Sequence, residues 1–240
     1  MAPRPRLPGP WRRALEAATP VGRPRWLLQA GLLAVMAWTT WGYLASGLGR
    51  SQRAISLPHQ LLEAANLIFH EAGHWIVAVV RIDLLTIAGG SLLQLAIPAI
   101  CAVAFLTRHA DPFAAAFAVW WTGQSAVNLA PYVADARAQR LILLGGGTGR
   151  DRPGYHDWNN LLGRVGLLEW DGFLGGAVHL CGLATMATAM LVALLVLRAQ
   201  AEATPTDEHD ALPPLNRSRP PDESEGRGPS GSGSAGAACV

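Results

Sequence analysis

The chain has 240 residues, 50% of them hydrophobic and only 15% charged, where a soluble domain carries about 25% charge, so composition argues for a membrane protein. All of its 19 basic residues are Arg, and a formal net charge of +2 gives no ground for a nucleic-acid partner. The three cysteines, Cys101, Cys181 and Cys239, lack metal-ligand spacing and read as small apolar residues.

Residues 1–25 are rich in Pro and Arg, with Glu16 the single acid, and are expected to form a flexible basic arm. Residues 26–47 follow as a nearly uncharged run, about 33 Å long as a helix and sufficient to cross a bilayer. The run is longer than a signal-peptide core and no small-x-small cleavage site follows it, so it is expected to persist as a first span. A polar connection over 48–58 leads to a second helix, about residues 59–80, with Pro58 suited to its first turn.

That second helix carries the chemistry. Its sequence His70-Glu71-Ala72-Gly73-His74 puts two imidazoles one above the other on one helix face, where they can grip one metal ion. Glu71, about 100° further round, stands beside the ion where a bound water would sit. This is the zinc hydrolase pattern H-E-x-x-H, in which the imidazoles hold Zn2+ and the Glu takes a proton from the zinc-bound water. Phe69, Trp75, Ile76, Val77, Val79 and Val80 surround the motif with side chains suited to lipid. A charge at bilayer depth costs roughly 2.5 to 3.5 kcal/mol, and zinc ligation in small peptides contributes about 10 to 16 kcal/mol, so a metal offsets the cost. Glu63 and Asn66 extend the polar face upstream and are candidates to orient an imidazole or to line a water path.

Arg81, Ile82 and Asp83 mark a turn, residues 84–88 a short extended or re-entrant piece ending at Gly89-Gly90, and residues 91–106 a third span. Residues 112–131 make the fourth, with Gln124, Asn128, Tyr132 and Asp135 at spacings of one helical face if the helix continues past Pro131, which is expected to bend or end it. Such polar groups face a cavity or bond across to a neighbouring helix. Residues 136–171 are mixed and Arg-rich, suited to lying on or dipping into the membrane interface. Gly145 to Gly149 lack the Lys and spacing of a phosphate loop, which excludes a nucleotide site of that kind. Residues 173–197 form a fifth span in which His179 reads as packed or hydrogen-bonded, and the Pro, Gly, Ser and acidic residues over 199–240 read as a disordered tail.

The fold expected is therefore an all-α membrane protein of about five transmembrane helices between disordered tails, its membrane domain covering residues 26–198. Six Arg of the arm, Arg81, and Arg137, Arg140, Arg150, Arg152 and Arg164 fall on one side of such a topology, against Arg50, Arg53 and Arg108 on the other. This places the N-terminus in the cytoplasm and the protein in a bacterial inner or cell membrane as a multi-pass component.

Phe69-His70-Glu71-Ala72-Gly73-His74 in a membrane helix, followed two spans later by Asn128-Leu129-Ala130-Pro131 and an Asp, resembles the site-2 protease family of intramembrane zinc metallopeptidases. The likeness covers about a third of the chain, with the core at 59–137. In that family an Asp-Gly pair after Asn-x-x-Pro completes the zinc site; here Asp135 falls one residue early and Ala136 replaces the Gly. The resemblance implies His70, His74 and Asp135 as zinc ligands, with Asp157 and His156 as the alternatives for the third. It further implies Glu71 as general base, Asn128 as an oxyanion-stabilising residue, and substrates that are membrane-spanning or membrane-proximal segments of other proteins. A non-catalytic protein that binds partner helices, and a metal transporter, are the rival readings.

Overall fold

A computed structural model describes residues 21–48 and 56–203. Most of the arm expected over 1–25 and of the tail expected over 199–240 lies outside the described residues, as does Cys239. Five long helices and one short one make up the fold: α1 (Arg23–Ser46), α2 (Leu57–Ala78), α3 (Asp83–Thr107), α4 (Pro112–Ala134), α5 (Asp157–Arg164) and α6 (Asp171–Ala203), the last preceded by a 3-10 turn, Leu168–Trp170. No strand occurs among the described residues; one isolated antiparallel bridge joins Ile142 to Thr148.

Three stretches are long and apolar enough to cross a membrane, Arg23–Ser46, Asp83–Thr107 and Leu168–Ala203, fewer than the five expected. The polar face of α2, with His59, Asn66 and His70 buried, and the Gln124 and Ser125 pair in α4 account for the difference, because they lower mean hydropathy without adding exposed polarity. The large exposed side chains are apolar on every long helix but α4, among them Trp38 and Trp41 on α1, Ile68 and Trp75 on α2, Ile100 and Val103 on α3, and Phe173 and Leu191 on α6. Trp75 is 79% exposed. An exterior of this kind, over an interior holding the hydrogen-bonded amides, suits a lipid solvent.

Helices α4 and α6 pack most extensively, followed by α2 with α3 and α3 with α4. Glycines set two of these crossings. A Cβ on Gly123 or Gly182 would meet the carbonyl oxygen of the other at 2.7 Å, so α4 and α6 touch backbone to backbone there. Gly73 of α2 and Gly89 of α3 meet in the same way, Gly89 facing the Gly73 carbonyl oxygen. This contact explains a departure from expectation: α3 starts at Asp83 and runs without a break through Gly89-Gly90. The glycines are helix-crossing residues rather than the end of an extended piece. Helix α4 likewise continues past Pro131 to Ala134, and residues 199–203, expected in the tail, extend α6.

The apolar core is built by Met36, Tyr43, Trp120, Val127, Met186 and Ala189 from α1, α4 and α6, with a second cluster of Phe113, Ala116, Ala193, Val196 and Leu197 toward one end. Through its centre runs a chain of amides. Asn66 donates to Gln124 at 2.9 Å, Gln124 donates to the Tyr43 hydroxyl at 2.8 Å, and Asn66 accepts from Trp121 at 3.1 Å and Ser125 at 3.0 Å. Each partner satisfies the other, which is what permits this polarity at such depth.

The direction of α1 departs from a simple up-and-down traverse. Arg25 pairs with Asp111 at 2.8 Å, and both stand at helix N-termini. Further along, the Trp120 indole donates to Thr40 and Gln124 donates to Tyr43, so α1 and α4 run parallel. Helix α2, which meets α4 first through Asn66 and Gln124 and then through His70 and Tyr132, is parallel to it as well. Thus α1 and α2 do not alternate, and Arg25 stands at the end of the bundle opposite the Arg-rich stretch that begins at Arg137, where the expectation had put both on one side.

Candidate metal centre

The register of α2 fixes the first two members of the site. His70 is buried and His74 half-buried, four residues apart, with ring centroids 4.9 Å apart. The third comes from the start of α5: Asp157 Oδ2 lies 3.1 Å from His70 Nε2 and 3.3 Å from His74 Nε2. His70, His74 and Asp157 are the one group of three or more potential ligands among the described residues, their ligating atoms within 4.8 Å of one another.

The far side of each ring decides what those nitrogens can do. His70 Nδ1 faces Gln94 Oε1 at 3.1 Å, and His74 Nδ1 faces the backbone oxygen of Thr86 at 2.9 Å. Both partners are acceptors. The Gln94 orientation is fixed by its NH2 group, which donates to the Ser125 carbonyl at 3.3 Å and to Asn128 Oδ1 at 3.2 Å. Each Nδ1 therefore carries its proton and each neutral ring turns an Nε2 lone pair toward Asp157, which is itself an acceptor. Two lone pairs and a carboxylate converging in this way need a positive charge between them, which either a proton added to an Nε2 or a metal cation supplies, and the cation turns the convergence into ligation. This donor set, two imidazole nitrogens and one carboxylate oxygen, suits zinc with a further position left open.

Gly90 keeps the space. A Cβ there would run into His74 Nε2 and lie 2.7 Å from His70 Nε2, so the missing side chain leaves room over the two nitrogens. Asp157 is held from several directions. Tyr132 donates its hydroxyl proton to Asp157 Oδ2 at 3.2 Å and accepts the Asp157 backbone N–H at 2.9 Å, while the next residue, Trp158, donates to Ser91 of α3 at 3.2 Å. Burial pushes the Asp157 carboxyl up, but when the Nε2 atoms of His70 and His74 carry protons, their hydrogen bonds and charges outweigh it and hold the group down at about 2. His156, the N-cap of α5, accepts from the Asn159 backbone N–H at 3.2 Å. Burial pushes its imidazole down, against the opposing pull of Asp135 and Asp157.

Asp135, expected as third ligand, stands elsewhere. It follows the last residue of α4, and its carboxylate accepts the backbone N–H groups of Arg140 at 3.0 Å and Leu141 at 2.8 Å and lies 3.5 Å from His156 Nε2. It shapes the segment that delivers Asp157 rather than meeting the histidines. Asn128 sits behind Gln94, bonded to its amide, and so supports His70 at one remove instead of facing the Nε2 atoms. Glu71 is half-buried, forms no hydrogen bond among the described residues, and is near enough for its charge to act on His74 and Tyr132. Glu63 and Asn66 do not reach the imidazoles, Asn66 being committed to Gln124, Trp121 and Ser125. His179 lies outside the cluster, with a buried Nδ1.

Sequence reasoning missed Gln94, Gly90 and the Thr86 carbonyl. Gln94 left a trace, as an amide inside an otherwise apolar span; the other two left none. A separate cavity of about 430 Å3 opens between α1, α3 and α4 beside Arg25 and Asp111, at the other end of the bundle, and no ligand cluster lines it. Compared with family models, curated proteins and solved structures, the chain finds no match.

Proposed function

We propose that this chain is a membrane-embedded zinc metalloprotease that hydrolyses peptide bonds in or near transmembrane segments of other membrane proteins. The observation that carries the reading is the convergence of His70 Nε2, His74 Nε2 and Asp157 Oδ2 with both Nδ1 protons committed outward. Helices α2 and α4 join the three apolar stretches as membrane-embedded helices, their polar faces turned to the interior.

His70, His74 and Asp157 would hold the zinc ion, which supplies Lewis-acid activation of water and polarisation of the scissile carbonyl. Gln94 and the Thr86 carbonyl hold the imidazoles in the Nδ1-protonated form that leaves Nε2 free. Tyr132 fixes Asp157 through two hydrogen bonds, donating to its carboxylate and accepting its backbone N–H. Glu71, unpaired and adjacent, takes the proton of the attacking water on its carboxylate and gives it to the leaving amine. The Asn128 amide, tied to Gln94, is a positioning group in this scheme.

The test is zinc content and proteolysis measured together. Purified wild-type protein binds about one zinc, as a single three-ligand site requires, and cleaves a reconstituted single-span substrate; Glu71→Gln keeps the metal and loses cleavage by a factor of about 100 or more. Metal-free protein overturns the metal site. Bound zinc with an unchanged phenotype in Glu71→Gln favours a non-catalytic protein that binds partner helices.

A further inference from the structure

The segment between α4 and α5 holds a feature that the metal site does not use. Leu141, Ile142, Leu143 and Leu144 run up one arm of a small hairpin closed by the Ile142–Thr148 bridge and by the Leu143 carbonyl and amide, which pair with the Gly146 and Gly147 backbones. Gly145, Gly146 and Gly147 all have φ near +80°, a conformation that side chains disfavour, so the tip turns sharply. Ile142 is 75% exposed and Leu144 60% exposed, with the Tyr155 ring also open. Two exposed aliphatic side chains and an open aromatic ring on one small loop are costly in water.

Charge surrounds this tip. Arg137, Arg140, Arg150, Arg152 and Arg164 are all exposed. Between residues 135 and 164 these five Arg face three Asp, a balance of +2. Two of the three acids are turned inward, Asp135 onto the Arg140 and Leu141 backbone and Asp157 onto the histidines. Arg137 is paired with Glu169 at 2.6 Å and Asp171 at 3.4 Å, so the outward face is basic through Arg140, Arg150, Arg152 and Arg164 against Asp151. Arg81 stands at the same end of the bundle, since α2 and α3 meet through Gly73 and Gly89 just before the turn that carries it.

Position decides what such a tip meets. The Leu141 N–H is bonded to Asp135 at the end of α4, which roots the hairpin at the end of a span. Three extended residues from 141 to 144 reach about 10 Å at most. The headgroup layer is roughly 5 to 8 Å deep on each side of a bilayer, half the difference between total and hydrocarbon thickness. The tip cannot clear that layer by much, whichever way it leans. We propose that the 141–148 hairpin docks into the headgroup region of the surrounding leaflet, Ile142 and Leu144 entering the acyl boundary and the flanking Arg engaging anionic lipid phosphates. The membrane surface then anchors the segment that presents Asp157. This rests on the membrane-spanning reading above, and not on hydrolysis.

The experiment uses the full chain with Cys101, Cys181 and Cys239 changed to Ala, one copy per nanodisc, so that a second copy cannot shield the label. An environment-sensitive fluorophore is attached to Leu144→Cys, and separately to Leu191→Cys on the exposed face of α6 as a span reference. In discs with anionic phospholipid the label at 144 is blue-shifted and quenched by lipids that carry a quencher high on the acyl chain. Arg140→Gln lowers the ratio of inserted to free label about fivefold, the factor one juxtamembrane Arg contributes, and zwitterionic discs, which remove the attraction to every flanking Arg, lower it further. A label at 144 that is unquenched while the label at 191 is quenched overturns the docking proposal and leaves the spans intact. Absence of quenching at 191 overturns the membrane-spanning reading itself.

Discussion

His70 Nε2 and Asp157 Oδ2 stand 3.1 Å apart although 87 positions separate them in the chain. The approach requires α5 to fold back onto α3 so that its first residue reaches α2, and the loop that returns it is stabilised by Asp135 rather than by the histidines. The two acids thus have separable duties. Asp157→Asn removes a ligand and lowers zinc affinity by more than about 100-fold, the upper end of what changes around a metal usually cost. Asp135→Asn leaves the three donors in place, so the loss is smaller and shows first as a lower Tm. Competitive zinc titration of both variants, with thermal unfolding alongside, separates them; equal zinc loss in the two would place Asp135 in the coordination shell.

Adjacent glycines on α3 give a second contrast. A methyl at Gly90 lies on the two Nε2 atoms, whereas one at Gly89 meets the Gly73 carbonyl oxygen and the Val77 side chain. Gly90→Ala is expected to abolish zinc binding while the helices stay assembled. Gly89→Ala forces α2 and α3 apart and destabilises by about 1 to 3 kcal/mol. Gly31→Ala, in α1 with nothing within 4 Å of the new methyl, is the reference that leaves zinc binding alone and gains up to about 1 kcal/mol from helix propensity. Zinc titration and detergent-solubilised melting curves on the three variants check the pattern.

How much of this was legible depended on distance along the chain. The His70 and His74 pair follows from helical period alone, and so does the buried face that continues through Asn66. The amides Gln124 and Asn128 announced themselves as polar residues in a span, but nothing local said that Gln124 would bond Asn66 and Asn128 would bond Gln94. Asp135 is the third ligand that the family resemblance implies, as the Asp following Asn128-Leu129-Ala130-Pro131; the choice between it and Asp157 is made by the aperiodic loop between α4 and α5, with its Asp135 cap and its glycine turn, whose path no spacing rule encodes. Gly89-Gly90 misled for a related reason, since two glycines look like a break until the partner backbone at Gly73 is known. Helix α1 was assigned a direction by counting Arg, and that count does not see the Arg25 and Asp111 pair.

Gln94 makes a third test, of the imidazole support. Its carbonyl oxygen accepts from His70 while its NH2 is held by Ser125 and Asn128, so the side chain cannot turn over without losing both donors. Gln94→Leu leaves His70 free to rotate or to shift its proton to Nε2, and zinc affinity drops about 10- to 100-fold with the histidines untouched. Asn128→Ala, which removes one of the two restraints on Gln94, falls between that variant and the wild type. Should Gln94→Leu bind zinc as tightly as wild type, the outward commitment of the Nδ1 proton contributes nothing to the site.

The parallel course of α1 and α4 is open to a direct geometric measurement. Arg25 Nη2 and Asp111 Oδ2 are 2.8 Å apart, and Trp26 of the same helix end donates to the Leu197 carbonyl near the far end of α6. In a strict alternation of five spans, residues 25 and 111 would face opposite sides of the bilayer, about 30 Å apart. Arg25→Cys with Asp111→Cys, in a chain whose native cysteines are replaced by Ala, is therefore expected to join efficiently with a short bis-maleimide in the membrane-reconstituted protein. Arg25→Cys paired with Arg81→Cys, at the other end of the bundle, is expected to remain unjoined. The reverse result would reorient α1 and return it to the alternating order, and because the His70, His74 and Asp157 cluster is built wholly from α2 and α5, zinc titration of the same variants would show the metal site unaffected by that outcome.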